Sequence, residues 1–249
     1  PRGRRPTPLK RMAETPKKTS GRRAAPAARA KPDRRAPTAE LPPEVPGRRR
    51  GGKSAAGSNL KQAWKPGNLL APIPAVLVSC GGLDGWQTNL ITIAWTGSVC
   101  SDPVMLSIAV RPERHSHVII PATGEFVVNL PTVRQARAVD WCGMVSGRSV
   151  DKFAATGLTP EAALKVRCPV VRECPLNIEC GVREALTLGS HTLFIAEVLA
   201  VQVDPALLDG KGRLCLERAG LLAFAHGEYF ALGRSLGRFG FSVRRRPRA

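Results

Sequence analysis

Four side chains in one short stretch are out of place for a buried strand. Residues 90–95 and 104–110 are apolar runs rich in β-branched residues. The polar Gly-Ser segment between them, ending in Ser101-Asp102-Pro103, predicts a strand, a turn and a second strand. Asn89, Thr92, Trp95 and Thr96 lie within or beside the first run. A carboxamide both donates and accepts, hydroxyls do so at short reach, and an indole offers a broad apolar face with one N–H. A strand carrying these groups where a core strand would be apolar lines something.

Other routes to chemistry are missing from the sequence. There is no Ser-His-Asp order, no Gly-Lys-Ser/Thr phosphate loop and no GxGxxG following a strand. The seven cysteines, at 80, 100, 142, 168, 174, 180 and 215, show no two-residue spacing, and the six-residue interval of the 168, 174 and 180 group fits neither zinc nor iron–sulfur ligation. No metal site is expected. An odd cysteine count without a secretory signal reads as reduced thiols in a cytoplasmic protein, most of them serving as small core hydrophobes. Beside Cys100 nothing signals a lowered thiol pKa. An enzyme without reactive side chains of its own is most simply one whose cofactor performs the reaction, so no catalytic side chain is assigned.

The elements that must position these groups follow from periodicity and punctuation. Residues 72–79 predict a first strand, closed by a glycine turn at 81–85. A short helix is expected over 113–121, with Pro112 at its start and Gly124 at its end. Residues 125–130 read as a strand. Thr132 with Gln135 matches a capping box, opening a helix that Gly143 should stop. Another short helix ends at Gly157, and 159–175 reads as loop with one or two short strands. Residues 176–186 and 191–203 form a hairpin-like pair whose length favours a barrel, and 221–224 with 229–232 close the body. The sum is mainly β with a few short helices.

Charge divides the chain into three parts. Residues 1–66 hold 19 Lys+Arg against 4 Asp+Glu, residues 67–237 hold 14 against 15, and residues 238–249 hold 5 against none. The formal +19 therefore belongs to the ends, and says nothing of the body. The arm at 1–66 is rich in Pro, Ala and Arg and lacks the apolar residues that would offset ordering entropy, so disorder is expected there, with a further basic tail at 241–249. Only Trp64 interrupts its charges, which argues against sequence-specific nucleic-acid readout. No run approaches the length needed to span a membrane.

Four motifs in sequence resemble one family. They are Asn89 to Gly97 (NLITIAWTG) with Ser101-Asp102-Pro103, Arg111 to Ser116 (RPERHS), Glu125 to Pro131 (EFVVNLP) and Ser146 to Phe153 (SGRSVDKF). In this order and spacing they are similar to the flavin reductase-like proteins related to flavoredoxin, over residues 70–240. The resemblance implies an FMN-binding split β-barrel of Greek-key type over residues 67–240, homodimeric, holding FMN without a covalent bond and using NAD(P)H as co-substrate. It implies that Asn89, Trp95, Thr96 and Lys152 hold the flavin. Lys152 suits the phosphate as a point charge and Asn89 a ribityl hydroxyl or the ring edge. Trp95 and the backbone of Ala94, Thr96 and Gly97 would flank the ring, with Gly97 permitting close approach. Arg111, His115 and Ser116 stand at a strand end and helix start where backbone donors favour an anion. Tyr229 is placed near the site on the same likeness. Taken singly, Trp95 would be core, Asn89 a turn residue and Lys152 a solvated charge; their joint occurrence favours the flavin. His191 and His226 are read as structural.

The function implied is hydride transfer from NAD(P)H to flavin and on to an acceptor, a partner protein or monooxygenase among them. Two alternatives stand: an FMN electron carrier acting through a partner protein, and a cofactor-free protein binding nucleic acid through its arm.

Overall fold

The computed structural model describes residues 61–83 and 88–243. The expected disordered arm up to residue 60, the last two residues of the glycine turn and the tail from 244 lie outside the described residues. In chain order the elements are β1 (Ile73–Pro74), β2 (Val76–Cys80), β3 (Asn89–Ile93), β4 (Thr96–Ser101), β5 (Val104–Val110), α1 (Ser116–Thr123), β6 (Glu125–Leu130), α2 (Ala136–Met144), α3 (Lys152–Thr156), β7 (Pro160–Glu161), β8 (Val170–Val171), β9 (Leu176–Leu188), β10 (His191–Val203), β11 (Leu222–Ala225) and β12 (Glu228–Ala231).

Seven strands pair antiparallel in the order β3-β2-β6-β9-β10-β5-β4. Only Ala94 and Trp95 separate β3 from β4, yet these two strands lie at opposite ends of that order. The sheet must therefore curl until its ends meet, as a barrel does. The β4–β5 ladder runs on into this joint, where the Ala109 N–H donates to the Trp95 carbonyl at 2.9 Å.

Alternation along the strands serves two cores. Val76, Val78 and Cys80 of β2 pack with Ile108, Phe126 and Phe194 in one. The intervening Leu77 packs with Val139 of α2, Phe153 of α3 and Leu158 in the other. Both faces of β2 are thus covered, which is why its sequence is almost wholly apolar. A separate three-stranded sheet, ordered β1-β11-β12, carries Phe224 and Tyr229.

Buried polar side chains tie the long loop before β9 to the barrel. The Asn129 amide donates to the Leu77 carbonyl and the Ser79 hydroxyl, while its oxygen accepts from the Val171 N–H and the Asn177 amide. The fully buried Glu179 accepts from the Leu164 and Lys165 N–H groups and from Gln202. Each such group would be costly if left unpaired, and all are paired.

Several boundaries differ from expectation. The segment read as a polar turn between the two apolar runs is the strand β4, paired with β5; it is exposed along nearly its whole length, so nothing selects for apolar alternation. Trp95 falls outside β3, in the joint. α1 begins at Ser116, three residues after its expected start, because residues 111–115 form turns in which Arg114 N–H donates to the Arg111 carbonyl. It ends at Gly124 as expected, with φ of 70°. The Thr132–Gln135 box is present but caps a short 3-10 turn that precedes α2. Gly143 does not stop α2. It lies inside the helix, where an added Cβ would come within 3.3 Å of Thr92 Cβ, so the glycine serves close packing.

Candidate functional site

Three adjoining cavities follow β3 and its joint with β4. The innermost, about 90 Å³, is lined by Asn89, Arg114, His115, Gly147 and Lys152 among others. A middle cavity of about 270 Å³ shares Ile91 and Arg114 with it and adds Thr92, Ala94, Trp95, Arg111 and His191. The outermost, about 590 Å³, shares Asn68, Ala94 and Trp95 with the middle one and adds Thr96, Phe224 and His226. Charge falls off outward: Lys152 and Arg114 line the inner end, Arg111 and Arg114 the middle, and no cationic Lys or Arg the outer.

Lys152 follows the N-cap Asp151, whose carboxylate accepts from the Phe153 and Ala154 N–H groups and so fixes where α3 begins. Its side chain is only 4% exposed, and Nζ donates to the Cys142 carbonyl in the last turn of α2 at 2.7 Å. A carbonyl at a helix C-terminus is a favourable acceptor for a cation. Two ammonium protons remain, and among the described residues no carboxylate pairs with it. Burial lowers its pKa from the ordinary 10.5, partly opposed by the Cys142 thiol. A buried cation without a carboxylate counter-charge, facing a small cavity, has the chemistry to seat an anion.

Beside it, the Asn89 amide donates to the Ser116 hydroxyl at 2.8 Å, and both are buried. Beneath them burial raises the Cys80 thiol to about 12, which makes it inert as a nucleophile. His115 precedes α1 without a side-chain cap bond. Burial first, then the nearby Arg148 and Lys152, lower its pKa, so the ring stays neutral in an already cationic corner. Arg148 reaches over to donate to the Glu113 carbonyl at 3.4 Å.

In the joint between β3 and β4, Trp95 is 42% exposed and its ring lies 4.3 Å from that of His191, tilted by 32°. Burial, then Arg111, keep the His191 pKa below its usual value. Arg111 itself pairs with Glu113 at 3.3 Å in an exposed setting. The Thr96 hydroxyl donates to the Ser107 carbonyl at 2.8 Å, which leaves its lone pairs available to the cleft. Gly97 is exposed, and a Cβ there would meet nothing within 4 Å; no close approach by the protein itself requires the glycine.

The structure thus brings Asn89, His115, Ser116 and Lys152 to one end of a cleft, and Ala94, Trp95, Thr96 and Arg111 toward the other. Tyr229 does not line these cavities. Its ring packs edge-on against Phe224 at 5.3 Å, and burial, then the charge of nearby Asp140 of α2, raise its pKa, so it stands behind the cleft wall. Sequence reading missed Arg114, Gly147, Phe224 and His191. His191 opens β10, far from Trp95 in sequence, and no local signal announces the stack.

Residues 70–233 match the family described as Flavin reductase like domain. The chain belongs to the flavin reductase-like family, and its fold is the split barrel of that family. An uncharacterised protein of Archaeoglobus fulgidus is 36% identical over 125 residues, covering 50% of this chain and 71% of that one. The flavoredoxin of Desulfovibrio vulgaris superposes with a TM-score of 0.69 at 30% identity, covering 74% of this chain and all of the other. An FMN-binding protein of Thermus thermophilus, solved with 1-cyclohex-2-enone, does so with 0.61 at 25% identity, over 73% of this chain and 99% of that one. Among the described residues no helix is long and apolar enough to cross a membrane.

Proposed function

We propose that this protein binds FMN in the three-part cleft and acts as a flavin-dependent oxidoreductase. The observation carrying this reading is Lys152: a buried ammonium with no carboxylate partner, at the closed end of a cleft whose other end is walled by Trp95. FMN has matching ends, a phosphate dianion and a flat ring. Lys152, with Arg114 and the Ser116 hydroxyl, would hold the phosphate; charge-assisted bonds of this kind are roughly twice as strong as neutral ones. Asn89 would turn its amide from Ser116 to a ribityl hydroxyl. Trp95, Ala94, Thr96 and Gly97 would flank the ring, with Arg111 and His115 adding positive or donor character along the way. Tyr229 would support the site through Phe224.

Bound FMN supplies hydride acceptance from a nicotinamide and release of electrons to a second acceptor. The protein groups orient and exclude water. The outer cavity, walled by Trp95 and Phe224 and free of lysine and arginine, suits an uncharged partner for the reaction. Exposed Val99, Val104, Leu188 and Val201 on the strands of the sheet support a homodimer, testable by light scattering. The seven thiols are all free, which fits a reducing compartment such as the cytoplasm.

A second reading, an electron carrier that needs a partner protein, is favoured by the likeness to flavoredoxin. The visible spectrum of the purified protein, before and after anaerobic NADH and NADPH, tests both. Flavin bands that bleach support the reductase. Bands that persist until a partner is added support the carrier. A colourless protein that takes up no added FMN overturns both.

A further inference from the structure

A second cationic site lies on the opposite side of α2 from the carbonyls that serve the cleft. Arg134, just ahead of α2, and Arg137 within it are three residues apart, a spacing that sets two side chains on one helix face about 5–6 Å apart at Cβ. Trp141 follows one turn later on that face. Together with Ala138, Ala155 and Thr156 they line a groove of about 370 Å³, within the usual size of small-molecule sites. This groove shares no lining residue with the three cavities of the cleft.

Like charges at this spacing repel by a few tenths of a kcal/mol, and helices commonly place an acid nearby to relieve them. Asp140 stands three residues beyond Arg137 and near Tyr229, and forms no ion pair with the arginine. Among the described residues neither arginine has a carboxylate within ion-pair distance. Trp141 is half-buried: it packs against the core beneath α2 and also lines the groove. Two guanidinium forks beside an indole form a complement to a flat ring bearing adjacent anionic groups, since guanidinium binds phosphate through two parallel bonds and an indole face stacks on a base.

We infer that the Arg134–Arg137–Trp141 groove binds a nucleoside diphosphate, with its phosphates on the arginines and its base on Trp141. The groove is independent of the flavin cleft, although α2 supports both. The Val139 and Cys142 carbonyls of the same helix accept from Thr92 and Lys152 on the cleft side.

The test is calorimetric titration of the full-length protein, saturated with FMN, with ADP, adenosine and pyrophosphate. ADP should bind at least tenfold more tightly than either fragment. Replacing both arginines (R134Q/R137Q) should weaken ADP at least tenfold while leaving flavin content unchanged, and K152M should leave ADP binding as it is. Absence of ADP binding, binding indifferent to R134Q/R137Q, or binding lost in K152M would each overturn the inference. Flavin content is read separately from visible absorbance, so a failure to hold FMN is distinguishable from a failure to hold ADP.

Discussion

Gly147 sits directly over the Asn89 side chain: a Cβ built on it would lie 2.0 Å from Asn89 Oδ1 and 2.7 Å from its Cγ. Asn89 cannot simply swing aside, because it is buried and its amide is bonded to Ser116. The loop before α3 and the start of β3 are therefore fitted to each other at the Lys152 end of the cleft. Gly147→Ala should cost about 1–3 kcal/mol of stability, the usual range for overpacking, and weaken FMN binding at least tenfold. Chemical denaturation and flavin fluorescence titration measure the two effects; wild-type values for both would show that the loop yields freely.

Lys152 should separate FMN from riboflavin, which lacks the phosphate. Lys152→Met is expected to weaken FMN by about a hundredfold, a loss of ~3 kcal/mol in keeping with a buried charge-assisted contact, and to leave riboflavin nearly unchanged. Equal losses for the two ligands would place the phosphate elsewhere.

The same lysine gives the apoprotein and the complex opposite responses to pH. Burial lowers its folded-state pKa below the ordinary 10.5, so in the window between those two values the unfolded chain binds more protons. Stability of the apoprotein attributable to Lys152 is lowest below that window, rises with pH through it, and is constant above 10.5. FMN affinity should fall over the same window as the ammonium is lost. Thermal melts and FMN titrations across alkaline pH check both signs, and K152M should flatten both profiles.

The Trp95–His191 stack is expected to hold the indole in place for a ring. His191→Ala should weaken FMN by about two- to tenfold, corresponding to the ~0.5–1.5 kcal/mol typical of an aromatic pair, and shift the tryptophan emission of the apoprotein. An unchanged emission spectrum together with unchanged affinity would make the stack incidental.

Asn129 offers a control away from the cleft. Its amide has five partners, so Asn129→Ala should lose about 2–4 kcal/mol of stability. Flavin affinity at a temperature where the variant remains folded should stay within a factor of about two. A large change in affinity would mean that the loop before β9 reaches the site.

Much of this architecture is legible in the sequence because burial imposes patterns. The apolar runs of β2, β5 and β6, the capping box at Thr132, and the helix-ending glycines at 124 and 157 each reflect a local physical demand that the structure meets. β4 was not legible because it is exposed; its strand character comes from hydrogen bonds to β5, which leave no mark on composition. Gly143 misled because a glycine near a helix end can serve either a left-handed cap or a close contact, and only the position of Thr92 decides between them. Asn89, Ser116 and Lys152 come from three separate segments, and it was their order along the chain, compared with a family, that suggested a common cavity. Tyr229 shows the limit of that route: it packs against Phe224 but lines none of the three cavities.

The two residues joining β3 to β4 have a consequence for how the chain fares when flavin is scarce. Trp95 lines the cleft at the joint from which the two end strands of the sheet run, its carbonyl held by Ala109 of β5. A flavin lodged there, as proposed, would touch residues of both end strands and act as a lace. Holding the folded form by mass action, a ligand present at a hundredfold excess over its dissociation constant adds roughly 2.7 kcal/mol. On the proposed reading, a cell short of flavin would carry this protein unlaced and more readily cut by proteases, so its abundance would track the supply of flavin.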